Sequence, residues 1–226
     1  MKNKSYIGIS FIILLFGIYA IPKIITRIKN GDVVKGSSLD NVSNANKNSD
    51  LSLIGPVPKF ELTNQEGKKI SNTDYLGKVY VVEFFFTSCS TICPKMNKNM
   101  LQVQNKFFGN PNFGIASISI NPEYDTSEIL KTYAKNIGAT SKNWHFLTGD
   151  KKYIMDLSYK GFNLYAGENS KVPGGFEHSG FFALIDKKGN IRCRNDDYNN
   201  PTVYYDGIEQ DGIKALMQDI TQLLEE

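Results

Sequence analysis

Apolar and aromatic residues concentrate at residues 79–86, VYVVEFFF, which predicts a strand buried on both faces. The run leads into a short loop that carries Cys89 and Cys93. Pro94 follows, and proline suits the first turn of a helix because it lacks the N–H that would have no partner there. Large apolar residues then recur at helical spacing: Met96, Met100, Val103 and Phe107. The pattern therefore places two thiols where a buried strand meets a helix N-terminus.

Shorter patterns of the same kind predict the remaining elements. Strands are expected over residues 113–120, 144–147, 181–186 and 190–192, and a hairpin over residues 58–70 with its turn at 64–67. Helices are expected over residues 126–137, 151–160 and 207–224. The first of these helices opens on a capping-box pattern in which Thr126 or Asp125 is the cap. Residues 161–177 have irregular polarity and contain Pro-Gly-Gly, which predicts a loop.

This order of elements indicates the α/β class. Strands joined through helices pair in parallel, and the late hairpin adds antiparallel strands at the edge. The expected architecture is a mixed central sheet covered by helices on both faces, which is a thioredoxin-like arrangement.

The N-terminal region has a different pattern. Residues 6–21 are almost entirely apolar, with basic residues on both sides, so the charge distribution leaves the orientation open. The segment is slightly shorter than the about 20 residues of a spanning helix, but Lys23 can extend towards the interface. A cleaved signal peptide would end in small residues, and residues 18–20, IYA, fit that poorly. We therefore expect residues 1–30 to be an uncleaved membrane anchor, with a cleaved signal as the alternative.

Composition agrees with a single domain and accessory segments. The 226 residues are 41% hydrophobic and 22% charged, and the net charge of +3 is small and dispersed, so no nucleic-acid partner is expected. Residues 31–52 are rich in Asn, Ser, Asp and Lys, which predicts a flexible linker before a domain at residues 53–226. Three cysteines are too few for a disulfide scaffold.

The positions of Cys89 and Cys93 have chemical consequences. A helix N-terminus carries partial positive charge and free N–H groups, and both favour the thiolate that attacks disulfides and binds metals. If the loop winds helically, the two side chains lie one turn apart, about 5–6 Å between Cβ atoms. That spacing permits either a disulfide or two bonds to one metal ion. A pair of buried structural cysteines is the alternative.

Two histidines offer a further ligand. His145 lies in an aromatic strand and is expected to be packed and hydrogen-bonded. His178 ends a glycine-rich loop directly before the strand at residues 181–186, at the end of a thioredoxin-like sheet that faces the cysteine loop. Two thiolates and one imidazole select copper or zinc over hard cations, and three ligands rather than four favour copper. An ordinary surface histidine is the alternative. Cys193 is expected to be a lone semi-buried thiol, with a regulatory or resolving role as the alternative.

Five segments resemble the Sco/SenC family in order and spacing: FFFTSCSTICPKM, SINPEYDTSEILKTYAKNIGA, WHFLTG, EHSGFFALIDKKGNIR and YYDG. The resemblance runs from about residue 54 to the C-terminus. Its specific part is the Cys-x3-Cys-Pro turn with a distant histidine before a strand, because the general thioredoxin signature has two residues between the cysteines.

The resemblance implies a thioredoxin-like domain that a single-pass anchor in the inner membrane holds on the extracytoplasmic side. It implies one copper ion, Cu(I) or Cu(II), bound by Cys89, Cys93 and His178. It further implies a metallochaperone that delivers copper to the CuA site of cytochrome c oxidase subunit II or a similar acceptor, or that reduces the cysteines of that site through Cys89 and Cys93.

Two positions depart from the family pattern. Ser90 stands where proline is common, which loosens the turn but removes no ligand. Asn121 stands where aspartate commonly precedes the proline, which removes a charge near the site, whereas Asp125 is retained and is expected to cap a helix. Two other functions remain open: an extracytoplasmic thiol–disulfide oxidoreductase with no obligatory metal, which would not need His178, and an interaction module without chemistry.

Overall fold

The computed structural model describes Ser10 and residues 14–19, 21–23, 51–172 and 174–226. The chain divides into two compact units, Met1–Asn48 and Ser49–Glu226. The described residues of the first unit are helical. No helix within the described residues combines the length and the hydropathy that a membrane crossing requires. Part of the predicted anchor, and the predicted linker as far as residue 50, lie outside the described residues.

The second unit contains eleven strands in its described residues. They are β1 (Ser52–Pro56), β2 (Glu61–Asn64), β3 (Lys69–Ser71), β4 (Val79–Phe85), β5 (Phe113–Ser119), β6 (Trp144–Thr148), β7 (Ala166–Glu168), β8 (Phe176–His178), β9 (Phe181–Ile185), β10 (Asn190–Cys193) and β11 (Tyr205–Asp206).

Helices connect and cover these strands. The α-helices are α1 (Cys93–Lys106), α2 (Ser127–Ile137), α3 (Lys151–Asp156) and α4 (Gln210–Glu225), with a 3-10 turn at Asn72–Tyr75 and a π-helical turn at Leu157–Gly161 directly after α3.

The main sheet has the order β1-β10-β9-β4-β5-β6-β2-β3, and β11 pairs with β9. The centre is parallel, because β4 pairs with β5 and β5 with β6, whereas β9 joins β4 antiparallel. Every residue of β4 is buried, as its apolar, aromatic-rich run predicts. The apolar stripe of α1 is also buried as predicted, at Met96, Met100 and Val103. The mixed α/β sheet expected from the sequence is therefore confirmed.

The prediction of a loop over residues 161–177 is wrong in part. It contains β7 and most of β8, a small antiparallel hairpin in which Ala166 pairs with His178. The strands are three residues long and too short to show a period of two. Gly174 belongs to the connection between them at a φ of 89°, and a Cβ there would lie 2.7 Å from the Phe86 ring. Glycine is therefore required for this hairpin to pack against the end of the central strand.

The start of the fold also differs from the prediction. β1 begins at Ser52, one residue before the predicted start of the domain at residue 53, and Leu51 before it is also buried, at 5% exposed. β1 pairs with β10 at the edge of the sheet. Of the five residues of β1, only Ser52 falls in the linker that the composition predicts. Its side chains are mostly exposed, so the strand has no hydrophobic pattern to reveal it.

Candidate metal centre

The two cysteines lie where β4 leaves the sheet and α1 begins. The Cys89 N–H donates to the Phe86 carbonyl at 3.2 Å, which closes a tight turn just after β4. Cys93 is the first residue of α1, and Pro94 occupies the first turn as predicted. Cys89 is 8% exposed and Cys93 1% exposed. All three cysteines of the protein are free thiols.

His178 reaches this loop from the end of β8. Its Nδ1 lies 3.0 Å from the Ser179 carbonyl oxygen. A carbonyl can only accept, so Nδ1 donates in this contact, and in that tautomer Nε2 carries the lone pair. That Nε2 lies 3.1 Å from the Cys93 Sγ. The ring also packs edge-on against Phe86, with centroids 5.9 Å apart. The backbone therefore orients the imidazole so that its unprotonated nitrogen faces the thiols.

The three residues singled out from the sequence meet in space. The ligand atoms of Cys89, Cys93 and His178 all lie within 4.8 Å of one another, a separation at which they could hold one metal ion. No other group of three or more His, Cys, Asp or Glu side chains with this property occurs among the described residues. The donors are two sulfurs and one imidazole nitrogen, which suit a soft or borderline ion rather than magnesium or calcium.

The group opens towards a cavity. This cavity has a volume of about 390 Å³ and is bounded by the β7–β8 hairpin on one side and the cysteine loop on the other. Five apolar side chains line it, Phe86, Ile92, Tyr165, Val172 and Phe176, together with Cys89, His178, Thr91 and Glu177. A ligand held by the three donors would therefore face a recess with both apolar and polar walls.

The two thiols differ in acidity. The neighbouring Cys93 side chain, with smaller contributions from His178 and Thr91, outweighs burial and lowers the pKa of Cys89 to about 3. The proximity of Cys89, followed by burial, raises the pKa of Cys93. Cys89 is therefore the sulfur that ionises first and the one that would attack an electrophile.

A buried carboxyl near the site went unnoticed in the sequence. Glu83 in β4 is 1% exposed, and its Oε1 accepts a 2.6 Å hydrogen bond from the Ser117 hydroxyl. Its Oε2 has no hydrogen-bond partner in the described part of the protein. Burial raises the pKa of Glu83 to about 7, against the opposing effects of Ser117 and His178. The signal was present, since Glu83 is the single charged residue in an otherwise apolar run.

The interpretation of Asp125 as a helix cap is wrong. Thr126 is the N-cap of α2, and its side chain accepts from the Ile129 N–H at 3.4 Å. Asp125 is instead 0% exposed and accepts hydrogen bonds from Thr87 and Ser119. Its two contacts with Thr87 direct the carboxylate towards the start of the cysteine loop.

The other two candidates lie apart from this group. His145 in β6 is half-buried, with Nδ1 3.3 Å from the Asn64 amide nitrogen and its ring edge-on to Tyr75, which is the packed role expected for it. Cys193 in β10 is 0% exposed, and burial raises its pKa. That thiol is therefore more buried than the semi-buried residue that the sequence predicts.

Comparison with known proteins agrees with this geometry. A family model described as SCO1/SenC matches residues 53–211. The SCO1 protein homolog of Bacillus subtilis (strain 168) is 34% identical over 161 residues, which cover 69% of this chain and 80% of the relative. The SCO2-like protein RP587 of Rickettsia prowazekii is 36% identical over 138 residues, and there the match covers 58% of this chain and 64% of the relative.

Solved structures show the same fold. A SCO1/SenC family lipoprotein from Bacillus anthracis aligns with a TM-score of 0.65 and 29% identity, over 75% of this chain and 95% of that one. BsSco, described as a member of the Sco family of cytochrome c oxidase assembly proteins, aligns at 0.64 and 28% identity, over 76% and 96%. Bradyrhizobium japonicum ScoI with copper bound shares the fold at a TM-score of 0.58 and 21% identity, over 75% of this chain and 99% of that one. The predicted thioredoxin-like fold is thereby confirmed.

The family match begins within β1 and ends in the first turn of α4, so it includes the cysteine loop, the β7–β8 hairpin and the strand that follows it. With more than half of the chain matched and a relative above 30% identity matched over most of its length, this chain belongs to the SCO1/SenC family.

Proposed function

We propose that this protein is a membrane-tethered copper carrier that delivers copper to the CuA site of cytochrome c oxidase subunit II, or reduces the cysteines of that site. The observation that carries the proposal is the convergence of Cys89 Sγ, Cys93 Sγ and His178 Nε2 within 4.8 Å. Copper is the cargo, and the three side chains are its proposed ligands.

The donor set fits copper for three reasons. Thiolates and imidazole bind copper in preference to hard cations. The Ser179 carbonyl favours the tautomer of His178 in which Nε2 presents a lone pair to a metal. Three protein ligands also leave one position free for an acceptor, whereas a structural zinc site is normally closed by four.

Membrane attachment and the acceptor rest on other observations. The apolar segment at residues 6–21 precedes the domain, and the similar Bacillus anthracis protein is described as a lipoprotein. BsSco is described as belonging to a family of cytochrome c oxidase assembly proteins. These support an extracytoplasmic domain at the inner membrane with subunit II as its partner.

A thiol–disulfide oxidoreductase is the second candidate, favoured by the acidity of Cys89. The Cys89 thiolate would attack one sulfur of a target disulfide and release the other as a thiolate. Cys93 would lose its proton and attack the mixed disulfide, which forms the Cys89–Cys93 disulfide and releases the second target thiol. The target gains two electrons, and the two cysteines of this protein lose them.

The test is a copper titration of the reduced full-length chain in detergent, followed by the sulfur-to-Cu(II) charge-transfer absorption. Wild type and His178→Ala are compared, with His145→Ala as the matched control because its ring is packed away from the thiols. We expect His178→Ala to lose affinity and change the spectrum while His145→Ala behaves as wild type. An unchanged His178→Ala spectrum would refute the three-ligand site, and full disulfide reductase activity without copper in that variant would favour the second candidate.

A further inference from the structure

A buried carboxylate supports the loop that carries Cys89. Asp125 Oδ2 accepts from the Thr87 N–H at 3.1 Å and from the Ser119 hydroxyl at 2.5 Å, and Oδ1 accepts from the Thr87 hydroxyl. The Asp125 backbone N–H donates to the Asn121 carbonyl at 2.9 Å. The carboxylate thus joins the end of β5, the turn before α2 and the first residues after β4.

The chemistry of this contact is unusual for a purely structural residue. Asp125 is 0% exposed, and none of the ion pairs in the described chain includes it. A buried carboxylate is costly unless hydrogen bonds compensate it, and bonds to a charged acceptor are about twice as strong as neutral ones. Two of its three donors come from Thr87, so most of that compensation is directed at one residue of the cysteine loop.

Thr87 lies where the loop leaves the sheet. The last backbone bond of the sheet at this end runs from the Ile120 N–H to the Phe85 carbonyl at 2.9 Å. Thr87 comes two residues later and two residues before Cys89. Its backbone and side chain are both held by Asp125, so the direction in which the chain continues towards Cys89 is set there.

The other two proposed ligands are held independently of this contact. Cys93 belongs to the first turn of α1, and His178 is held by the Ser179 carbonyl and the Phe86 ring. Within the described residues, the hydrogen bonds that hold Cys89 from outside the ligand group are the turn bond to Phe86 and a 3.4 Å contact between its Sγ and the Thr91 hydroxyl. The position of Cys89 relative to the other two ligands therefore depends most on the Thr87 anchor.

We propose that Asp125 is a positioning residue for the metal site, which holds Cys89 Sγ within reach of Cys93 and His178 through its two hydrogen bonds to Thr87. This inference rests on the proposed copper-binding function. Replacement by asparagine keeps the shape and one acceptor oxygen but turns an NH₂ group towards donors that need an acceptor. Loss of one charge-assisted hydrogen bond would then weaken copper binding and change the geometry of the copper–Cys89 contact.

The test compares Asp125→Asn with wild type in the full-length reduced protein, using Cu(II) affinity and the charge-transfer spectrum. Asp219→Asn is the matched control, because Asp219 is a buried, hydrogen-bonded carboxylate paired with Arg194 and Tyr205 and bonded to none of the three ligands. We expect Asp125→Asn to weaken Cu(II) binding about tenfold, which is about 1.4 kcal/mol, with a changed spectrum. Asp219→Asn should lower thermal stability but leave affinity and spectrum as in wild type.

A second pair keeps the test decisive if Asp125→Asn fails to fold. Thr87→Val removes the hydroxyl donor and keeps the backbone bond, whereas Thr87→Ser retains both, so copper binding should weaken in the first and match wild type in the second. Equal binding by Thr87→Val and Thr87→Ser, or equal losses in Asp125→Asn and Asp219→Asn, would overturn the inference. Failure of the proposed function looks different, because wild type itself would then not bind copper through His178.

Discussion

Replacing Glu83 by glutamine is expected to stabilise the reduced, metal-free protein at neutral and alkaline pH. Glu83 is buried in the central strand, and only one of its two carboxyl oxygens has a hydrogen-bond partner in the described part of the protein. Ionising this group leaves a negative charge in the core with one acceptor uncompensated. Glutamine has nearly the same shape, can still accept from Ser117 and does not ionise.

The magnitude follows from the pKa of Glu83, which is raised from 4.5 to about 7. A raised folded-state pKa means that the folded state holds the proton more tightly than the unfolded chain. The stabilising contribution of the neutral carboxyl is therefore complete below pH 4.5 and is lost as the pH rises through 7. Each pH unit of difference is worth about 1.4 kcal/mol, so wild type should lose about 3 kcal/mol relative to Glu83→Gln between pH 4 and pH 8.

The assay is chemical denaturation of both proteins with reductant and chelator present, repeated across this pH range. Other titrating groups are common to both and cancel in the difference between them. Glu61→Gln is the matched control, since Glu61 lies exposed on β2 with a weak surface ion pair to Lys69, so its effect on stability should be small beside that of Glu83→Gln at pH 8. A Glu83→Gln difference that stays constant from pH 4 to pH 8, or that favours wild type at pH 8, would refute the reasoning.

Two further predictions follow from the site and its hairpin. In the metal-free reduced protein, iodoacetamide should modify Cys89 at a rate nearly independent of pH between 5 and 8, because its pKa of about 3 keeps the thiolate ionised. Cys93→Ala should restore a rate that rises with pH. A wild-type rate that rises tenfold per pH unit would contradict this. Gly174→Ala should destabilise the protein more than Gly175→Ala in thermal unfolding. Both glycines have positive φ, but only a Cβ at Gly174 would meet the Phe86 ring. Equal shifts in melting temperature would show that the contact is unimportant.

The central strand and its helix were predictable because their patterns are long and unambiguous. Residues 79–86 are apolar except for Glu83, and the apolar residues from Met96 to Phe107 recur at helical spacing throughout. These two elements also determine where the cysteines lie, so the thiol pair of the candidate metal centre could be predicted from local sequence. The approach of His178 required the additional inference that the fold is thioredoxin-like, because the distance between His178 and the cysteines along the chain gives no geometric information.

Features that depend on tertiary contacts were not predictable. The β7–β8 hairpin is too short for a hydrophobic period, and β1 is mostly exposed at the edge of the sheet. Aspartate is a common helix cap, so the sequence around Asp125 suggests that role. Only the position of Thr87 in the structure shows that the Asp125 carboxylate accepts hydrogen bonds from the cysteine loop instead. In each case the partner lies far away in the sequence or belongs to a turn whose direction no local pattern encodes.

X-ray absorption spectroscopy of the copper-loaded, reduced protein tests the metal centre most directly. The three-ligand site predicts two sulfur scatterers and one imidazole nitrogen around Cu(I), with the imidazole contribution missing in His178→Ala and retained in His145→Ala. A shell of sulfur alone in wild type, or an imidazole signal that survives in His178→Ala, would contradict the site on which the proposed function rests.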